Sequence, residues 1–408
     1  MRCRHCGTEL SVVFIDLGSA PPSNAYLKPE DLHKAETWFP LRVLVCTECW
    51  LVQTEDFAAA TDLFSAEYAY FSSYSATWLA HAKKYVETMI PRFHIDTRSY
   101  IIEVGANDGY LLQYVQEQGV PCLGIEPTRG TANAARERGL KIIEGFFGLD
   151  LARRLTKGGQ SADLIVANNV LAHVPDINDF VSGFAELLKQ DGVATFEFPH
   201  LLQLTSNIQF DTIYHEHYSY LSLISVKRIF EKNGLFIFDV EELPTHGGSL
   251  RVFACKNSSK RFKQSERVSN LISREVKEGI NTIEYYSGFQ DKANKVKNDL
   301  LVFLLDAQRR KEKVIGYGAA AKGNTILNYA GIRPDLISCV VDANPAKQGK
   351  YLPGSRIPIV NVETIRKLEP NYVIILPWNL KEEIMQELSY IRDWGGKFVW
   401  AVPELRIQ

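Results

Sequence analysis

The chain has 408 residues, more than one ordinary core accommodates, and at roughly 100–200 residues per domain this predicts two to four domains, with three as the working division. Its 46% apolar and 23% charged residues exclude long disorder, collagen-like repeats and supercharged tails. The 46 basic and 48 acidic residues leave a net charge of −2, which gives no reason to expect a nucleic-acid partner.

No apolar run approaches the ~20 residues that span a bilayer, so no membrane association is expected. The N-terminus has basic residues with no apolar stretch behind them, so no secretory signal is expected and the predicted location is the cytoplasm. Four of the seven cysteines form two Cys-x-x-Cys pairs, and Cys122, Cys255 and Cys339 sit singly in apolar runs, unlike a secreted disulfide framework.

In chain order, residues 11–15 and 41–45 read as short strands around a turn-rich stretch at Pro21, Pro22, Ser23 and Asn24, with too little apolar material for a self-supporting core. Ser75 is a candidate cap for a helix burying Trp78, Ala82, Tyr85 and Met89, with Pro91 after its end. Residues 99–255 alternate short apolar strands with helical stretches, the pattern of a doubly wound α/β sheet. Residues 260–313 are charged and helical, with Val268, Leu271, Ile272, Val276, Ile280 and Ile283 in one register and a second helix over 292–310. A further β/α alternation starts at Val314 and ends near Val399. The expected domains are therefore a small unit at 1–66, an α/β domain at 67–256, and a helical bridge with a second Rossmann-like domain at 257–408.

Cys3, Cys6, Cys46 and Cys49 read CRHC and CTEC, two knuckles whose thiolates suit one tetrahedral zinc ion. A redox dithiol needs only one pair, and an iron–sulfur cluster is the other alternative. With four protein ligands such a zinc has no open position for water, so its expected role is structural.

The segment YIIEVGANDGYLLQYV is a strand, a turn at Gly105 and Gly109, and a helix expected near Tyr110. A second strand ends in Glu126, at the distance where a carboxylate accepts from a ribose diol. ADLIVANN then places Asn168 and Asn169 at a third strand end. This succession, with LLKQDGVATFEFP, resembles class I S-adenosylmethionine-dependent methyltransferases over about residues 98–199; the functional rival is a nicotinamide dehydrogenase. The resemblance implies cofactor contacts from Glu103, Gly105, Asn107, Asp108, Gly109, Glu126, Pro127, Asn168 and Asn169.

TIYHEHYSYLS is the densest ionisable cluster. Imidazole near neutral pKa takes protons, and a neighbouring tyrosine or glutamate sets its tautomer or holds a substrate oxygen. HEH lacks the HExxH spacing of two histidines on one helix face, leaving a metal site or an ordinary surface cluster as alternatives. In LPTHGGSLRVF, His246 and Arg251 flank a glycine turn and are candidates for a diphosphate, though a hairpin explains the glycines equally well. KVIGYGAAAKGNT is strand, glycine turn and helix without a GxGxxG or P-loop order; its helix N-terminus, with Lys322 and Asn324, is a candidate phosphate contact, or the domain is scaffold.

CRHC with CTEC, YAYFSSYS, EVGANDG, YHEHYSYLS, HGGSLR, GAAAKGNT and YLPG in this order resemble the zinc-containing sugar C-methyltransferases over nearly the whole chain. The resemblance implies a zinc domain, an S-adenosylmethionine-binding domain and a C-terminal Rossmann-like domain. The implied reaction is deprotonation of a nucleotide-diphosphate 4-keto-6-deoxysugar at C3, then methylation of the enolate carbon. The family's Tyr-x-Glu-His pattern falls on Tyr214, Glu216 and His217, with His217 as base. Its upstream tyrosine falls at Tyr68 or Tyr70. This reading leaves the oligomeric state open and is compatible with a monomer. An O-methyltransferase and a non-catalytic zinc adaptor are the competing readings.

Overall fold

The computed structural model describes residues 1–57 and 71–408; the expected Tyr68 and Tyr70 lie outside the described residues. At the N-terminus β1 (Val12–Ala20), β2 (Phe39–Val45) and β3 (Val52–Thr54) form an antiparallel sheet. Its fourth strand, β9 (Ser219–Tyr220), arrives from the middle of the chain, pairing Val52 with Tyr220 and Gln53 with Ser219. The zinc unit thus completes its sheet with the residues just after the HEH triplet.

Helix α1 (Ala76–Phe93) is capped by Ser75, whose Oγ accepts from the Trp78 N–H at 3.2 Å. The helix runs through Pro91 to Phe93, and His94 at φ 57° closes it. In the last turn proline forfeits only one helical bond, and buried Met89 and Phe93 hold that turn in the core.

The middle sheet contains, in chain order, β4 (Ile101–Val104), β5 (Cys122–Glu126), β6 (Ile142–Glu144), β7 (Ala162–Asn168), β8 (Leu188–Pro199), β10 (Leu235–Leu243) and β11 (Ser249–Lys256). Their spatial order is β10-β11-β8-β7-β4-β5-β6, with β11 antiparallel to both neighbours. Burial on both faces explains the near-continuous apolar runs of β4 and β7. Helices α2 (Leu112–Glu117), α3 (Arg129–Glu137), α4 (Leu149–Lys157), α5 (Ile177–Leu187), α6 (Leu201–Ser206) and α7 (Leu223–Lys232) occur along this stretch. Phe184, Phe196 and Phe230 pack with ring centroids 4.5 and 4.7 Å apart in its core. The chain leaves β4 for β5 on one side while β7 lies on the other, so the crevice at the carboxyl ends of β4 and β7 is the topological switch point, where open α/β sheets take ligands.

The bridge is α8 (Glu266–Glu278) and α9 (Phe289–Arg309); Gly279 at φ 91° ends α8, so the expected single register stops there and Ile283 is exposed. The C-terminal sheet contains, in chain order, β12 (Val314–Tyr317), β13 (Val340–Val341), β14 (Ile359–Val360), β15 (Tyr372–Ile375), β16 (Lys397–Trp400) and β17 (Arg406–Ile407). Its order is β14-β13-β12-β15-β16-β17, parallel except for β17. Helices α10 (Ala321–Tyr329), α11 (Glu363–Leu368) and α12 (Lys381–Glu387) accompany it. Among the described residues, no helix is long and apolar enough to cross a membrane.

Candidate active site

The four paired cysteines bring their sulfurs within 4.8 Å of one another. Cys3 and Cys49 Sγ are 3.5 Å apart, Cys6 and Cys46 Sγ 3.4 Å. A tetrahedral zinc with Zn–S near 2.3 Å needs sulfurs about 3.8 Å apart, so the cage fits the ion within a small adjustment. Gln53 Nε2 donates to Cys3 Sγ at 3.3 Å, an outer-shell bond of the kind that fixes a thiolate ligand. Among the described residues no other group of three or more potential ligands forms a metal site, and the HEH triplet does not make one.

In the crevice of the middle sheet, Gly105 at φ 72° and Gly109 at φ 80° turn the chain out of β4. A Cβ on Gly105 would lie 2.5 Å from Val170 Cγ2, so only glycine fits there. Glu126 closes the second strand with Oε2 accepting from the Asn107 N–H and Oε1 from the Thr128 N–H, both at 2.9 Å. Asn168 presents an amide with both polar atoms buried and unpartnered, and Asn169 is held at φ 56° with its Oδ1 likewise unpaired. Buried amide atoms without partners at a switch point fit a polar ligand. The fully buried Glu103 lies within β4 beside Tyr110, and burial, seconded by Glu126 and Asp108, pushes its carboxyl well above the carboxylate range. Outside the turn, the Ser72 N–H donates to Asn107 Oδ1 at 2.9 Å, and Ser73 Oγ donates to Asp108, so the FSSYS motif docks on the ANDG turn. Pro127 sits between Glu126 and the start of α3.

From this crevice the segment after β7 leads to the ionisable cluster: Val170 abuts Gly105, and His173 meets His217 edge to face at 4.6 Å. Buried Phe210 and Ile213 anchor the segment before the cluster, and a tight turn, with the His217 N–H donating to Tyr214 O at 2.9 Å, folds the Tyr214 ring against the imidazole. The Thr212 carbonyl is 2.9 Å from His217 Nδ1. A carbonyl only accepts, so the proton is on Nδ1, and Nε2 carries the lone pair that meets the Tyr214 hydroxyl at 2.9 Å. Burial, seconded by His173, lowers the His217 pKa well below that of an ordinary imidazole, so the ring is neutral near pH 7. His173 donates from Nδ1 to Glu216 O at 2.7 Å; burial holds it at about 4.

The HEH triplet splits three ways. His215 turns to the zinc unit, Nε2 donating to Pro40 O at 3.1 Å. Glu216 Oε1 accepts from both the main-chain N–H and Nδ2 of Asn24 at 3.1 Å, and Oε2 is buried without a partner. Burial raises the Glu216 pKa.

Of the residues expected to touch substrate, His246 lies beside the crevice: Asn169 Nδ2 donates to its Nε2 at 3.0 Å, its ring is 5.0 Å from that of Trp78, and burial and Lys322 lower its pKa to about 4. Lys322 Nζ bonds Asn379 Oδ1 at 2.6 Å and sits 4.6 Å from the Trp378 ring centroid, its pKa lowered by burial. Arg251 instead holds the sheet together. Only 5% exposed within β11, it pairs through Nη2 with Glu197 Oε2 at 2.9 Å and through Nη1 with Glu241 at 3.4 Å. Asn324 Nδ2 donates to Ser23 O at 2.6 Å, joining two domains, and its Oδ1 is buried without a partner. Sequence reasoning missed His173, which looks like any helix-flanking histidine, and Asn24, seen only as part of a turn.

A switch-point crevice with a glycine turn, a strand-end carboxylate and unsatisfied amides, beside a neutral imidazole, has the make-up of a nucleotide-type cofactor site with a base next to it, and the comparisons with known proteins assign it to the methyltransferases. Three family models fit in succession: a zinc binding domain over residues 3–64, a methyltransferase domain over 78–239, and a C-methyltransferase C-terminal domain over 244–403. The chain is 33% identical to the C-methyltransferase NovU of Streptomyces niveus over 405 residues, covering 99% of this chain and 96% of that protein. Among solved structures, magnesium protoporphyrin IX methyltransferase of Synechocystis with bound S-adenosylhomocysteine matches at 16% identity, over 44% of this chain and 83% of that one, with a TM-score of 0.36. The chain belongs to the zinc-containing sugar C-methyltransferase family, with S-adenosylmethionine and zinc as its cofactors.

Proposed function

We propose that the enzyme removes the C3 proton of a nucleotide-diphosphate 4-keto-6-deoxysugar and methylates the resulting enolate at carbon, in the cytoplasmic biosynthesis of a branched deoxysugar. The observation that carries this reading is the His217 imidazole, neutral and fixed with its basic Nε2 against the Tyr214 hydroxyl. A proton beside a ketone is acidic enough for such a base, and the resulting negative charge on oxygen needs donors in place. Nε2 of His217 takes the proton. Tyr214 OH, which rests on Nε2 without substrate, turns to the substrate oxygen and stabilises the enolate; Glu216, whose buried Oε2 has no partner, holds a second substrate oxygen. His246 and Lys322 lie on the side where the C-terminal domain approaches and bind the substrate's polar groups.

Gly105, Asn107, Asp108, Gly109, Glu126, Pro127, Asn168 and Asn169, with Glu103 beneath them, hold S-adenosylmethionine, which supplies an electrophilic methyl group on a sulfonium sulfur. The four cysteines hold zinc away from the chemistry. Tyr68 or Tyr70 supplies the family's upstream hydroxyl.

The test is incubation with S-adenosylmethionine and a panel of nucleotide-linked 4-keto-6-deoxysugars, following S-adenosylhomocysteine release and locating the methyl by NMR. A methyl on C3 is the expected result; a methyl on oxygen, or no turnover across the panel while the cofactor binds, rejects the assignment.

A further inference from the structure

We infer that the C-terminal domain positions the base, through Thr325 and Trp378. The inference rests on the reading of His217 as base and concerns how that imidazole keeps its tautomer.

The ring is oriented by one bond to main chain, from Nδ1–H to Thr212 O. Each residue flanking Thr212 is held by the C-terminal domain. On one side Trp378 Nε1 donates to Asp211 Oδ2 at 2.7 Å; on the other Thr325 Oγ1 donates to Ile213 O at 2.8 Å. Asp211, Ile213 and Thr325 are buried. The two donors come from different elements, Thr325 from α10 and Trp378 from the turn Trp378–Leu380 after β15. Locally Thr212 donates from N–H and Oγ1 to Gln209 O at 3.1 and 2.7 Å, and the Ile213 N–H donates to Phe210 O at 3.0 Å; the two interdomain grips on either side of Thr212 add to these bonds and hold the whole turn, with its carbonyl, against the imidazole. The Trp378 ring is itself wedged, since a Cβ on Gly247 would lie 2.6 Å from it.

The carbonyl's direction decides the chemistry. While Thr212 O faces Nδ1, the proton stays on Nδ1 and the lone pair on Nε2. If the carbonyl swings away, the alternative tautomer, donating from Nε2 to the Tyr214 oxygen, becomes competitive. That imidazole points its basic nitrogen at main chain and cannot accept a proton from substrate.

The strand end of the same domain is braced by its own main chain and by the zinc unit. Asp342, which follows β13, has Oδ2 accepting from the Ala319 N–H at 2.7 Å and Oδ1 from the Asn344 N–H at 2.8 Å. The Tyr26 hydroxyl, from the zinc unit, donates to Ala319 O at 2.5 Å. From this braced end helix α10 carries Thr325 to the main chain of the segment that holds the base.

The test reads the tautomer directly, without substrate. Full-length zinc-loaded protein with 15N-histidine is examined by long-range 1H–15N NMR, the His217 signals being assigned by their loss in His217→Gln. Wild type is expected to show one tautomer, protonated at Nδ1. The Thr325→Val/Trp378→Phe double variant is expected to show a tautomer mixture. With thymidine-diphosphate 4-keto-6-deoxyglucose in D2O, its proton-exchange rate at C3 should fall about 10- to 100-fold, the scale of a small misplacement, with S-adenosylmethionine affinity within about twofold. Thr325→Ser, which keeps the hydroxyl, should behave as wild type. If the double variant loses its fold, each single variant is read by the same spectrum. A pure Nδ1–H tautomer and wild-type exchange in the variants lacking these donors overturns the inference. Undiminished exchange in His217→Gln instead overturns the base assignment, whatever the tautomer spectra show.

Discussion

Arg251→Met is expected to weaken the methyltransferase sheet rather than substrate binding. Glu197, fully buried at the end of β8, is held by Arg251 Nη2 and His81 Nε2 on one oxygen and by Thr245 Oγ1 on the other, each at 2.9 Å. Burial alone would raise its pKa; the His81 hydrogen bond and the Arg251 charge outweigh that and hold the carboxyl below its usual value. Removing one partner of a buried ion pair costs about 3–5 kcal/mol, because the remaining charge is desolvated and uncompensated. In the variant the folded-state pKa of Glu197 rises above its unfolded value, so the folded protein binds more protons and stability falls as pH rises through that window. The deficit should therefore be larger at pH 8 than at pH 5.5. Native-state hydrogen exchange resolved by mass spectrometry is the suitable assay, since a multidomain chain has no single unfolding free energy. Amides of β8 and β11 should exchange roughly 10²- to 10⁴-fold faster at pH 8 after correction for intrinsic rates. Glu197→Gln/Arg251→Met should recover part of the protection. Unchanged protection together with a tenfold or greater rise in substrate KM would refute the reasoning and return Arg251 to the substrate.

His217→Gln should lower turnover by about 10²- to 10⁴-fold while leaving S-adenosylmethionine affinity, measured by calorimetry, within twofold. Because burial holds His217 well below the normal imidazole range, kcat/KM in wild type should stay flat from pH 8 to pH 6.5 and fall only at lower pH, as the base becomes protonated; an acid limb at 6.5 or above contradicts the assignment. Gly105→Ala must place a Cβ against Val170 at a left-handed φ, and should weaken cofactor binding about tenfold or more with little change in far-UV circular dichroism; unaltered affinity would show that the turn relaxes at no cost. Elemental analysis should find about one zinc per chain. Cys46→Ser should lose it and with it turnover, because β3 pairs with β9 just beyond His217, whereas a zinc-free protein of full activity would sink the structural role.

What the sequence displays and what it conceals divide along a physical line. The zinc cage follows from two local knuckles, and the glycine turn with Glu126 follows from strand ends, so both are legible from spacing. The doubly wound sheet is legible because burial on both faces writes itself as apolar runs. Arg251 reads as a phosphate ligand because the HGGSLR string gives no sign that β11 lies inside the sheet, where an arginine must pair with carboxylates such as Glu197. Pro91 reads as a terminator, though packing of Phe93 outweighs the one bond that proline removes.

The HEH triplet shows why the rest is hidden. In sequence it is one charged cluster, which invites a metal or surface reading. In the fold its first member reports to Pro40, its second to Asn24 and its third to Tyr214 and Thr212, and Thr212 is bracketed by contacts to Trp378 and Thr325. None of the interdomain partners is within a hundred residues, and none follows a helical or strand period. A neutral, single-tautomer imidazole requires burial and a fixed acceptor; the short turn Phe210–Thr212 orients the acceptor through its own bonds, and the domains around it supply the burial and two further grips. The segment 210–218 is therefore held from outside as well, by the zinc unit through Asn24 and β9 and by the C-terminal domain through Thr325 and Trp378. The domain boundaries that make the sequence readable in pieces are the same boundaries across which the site is assembled.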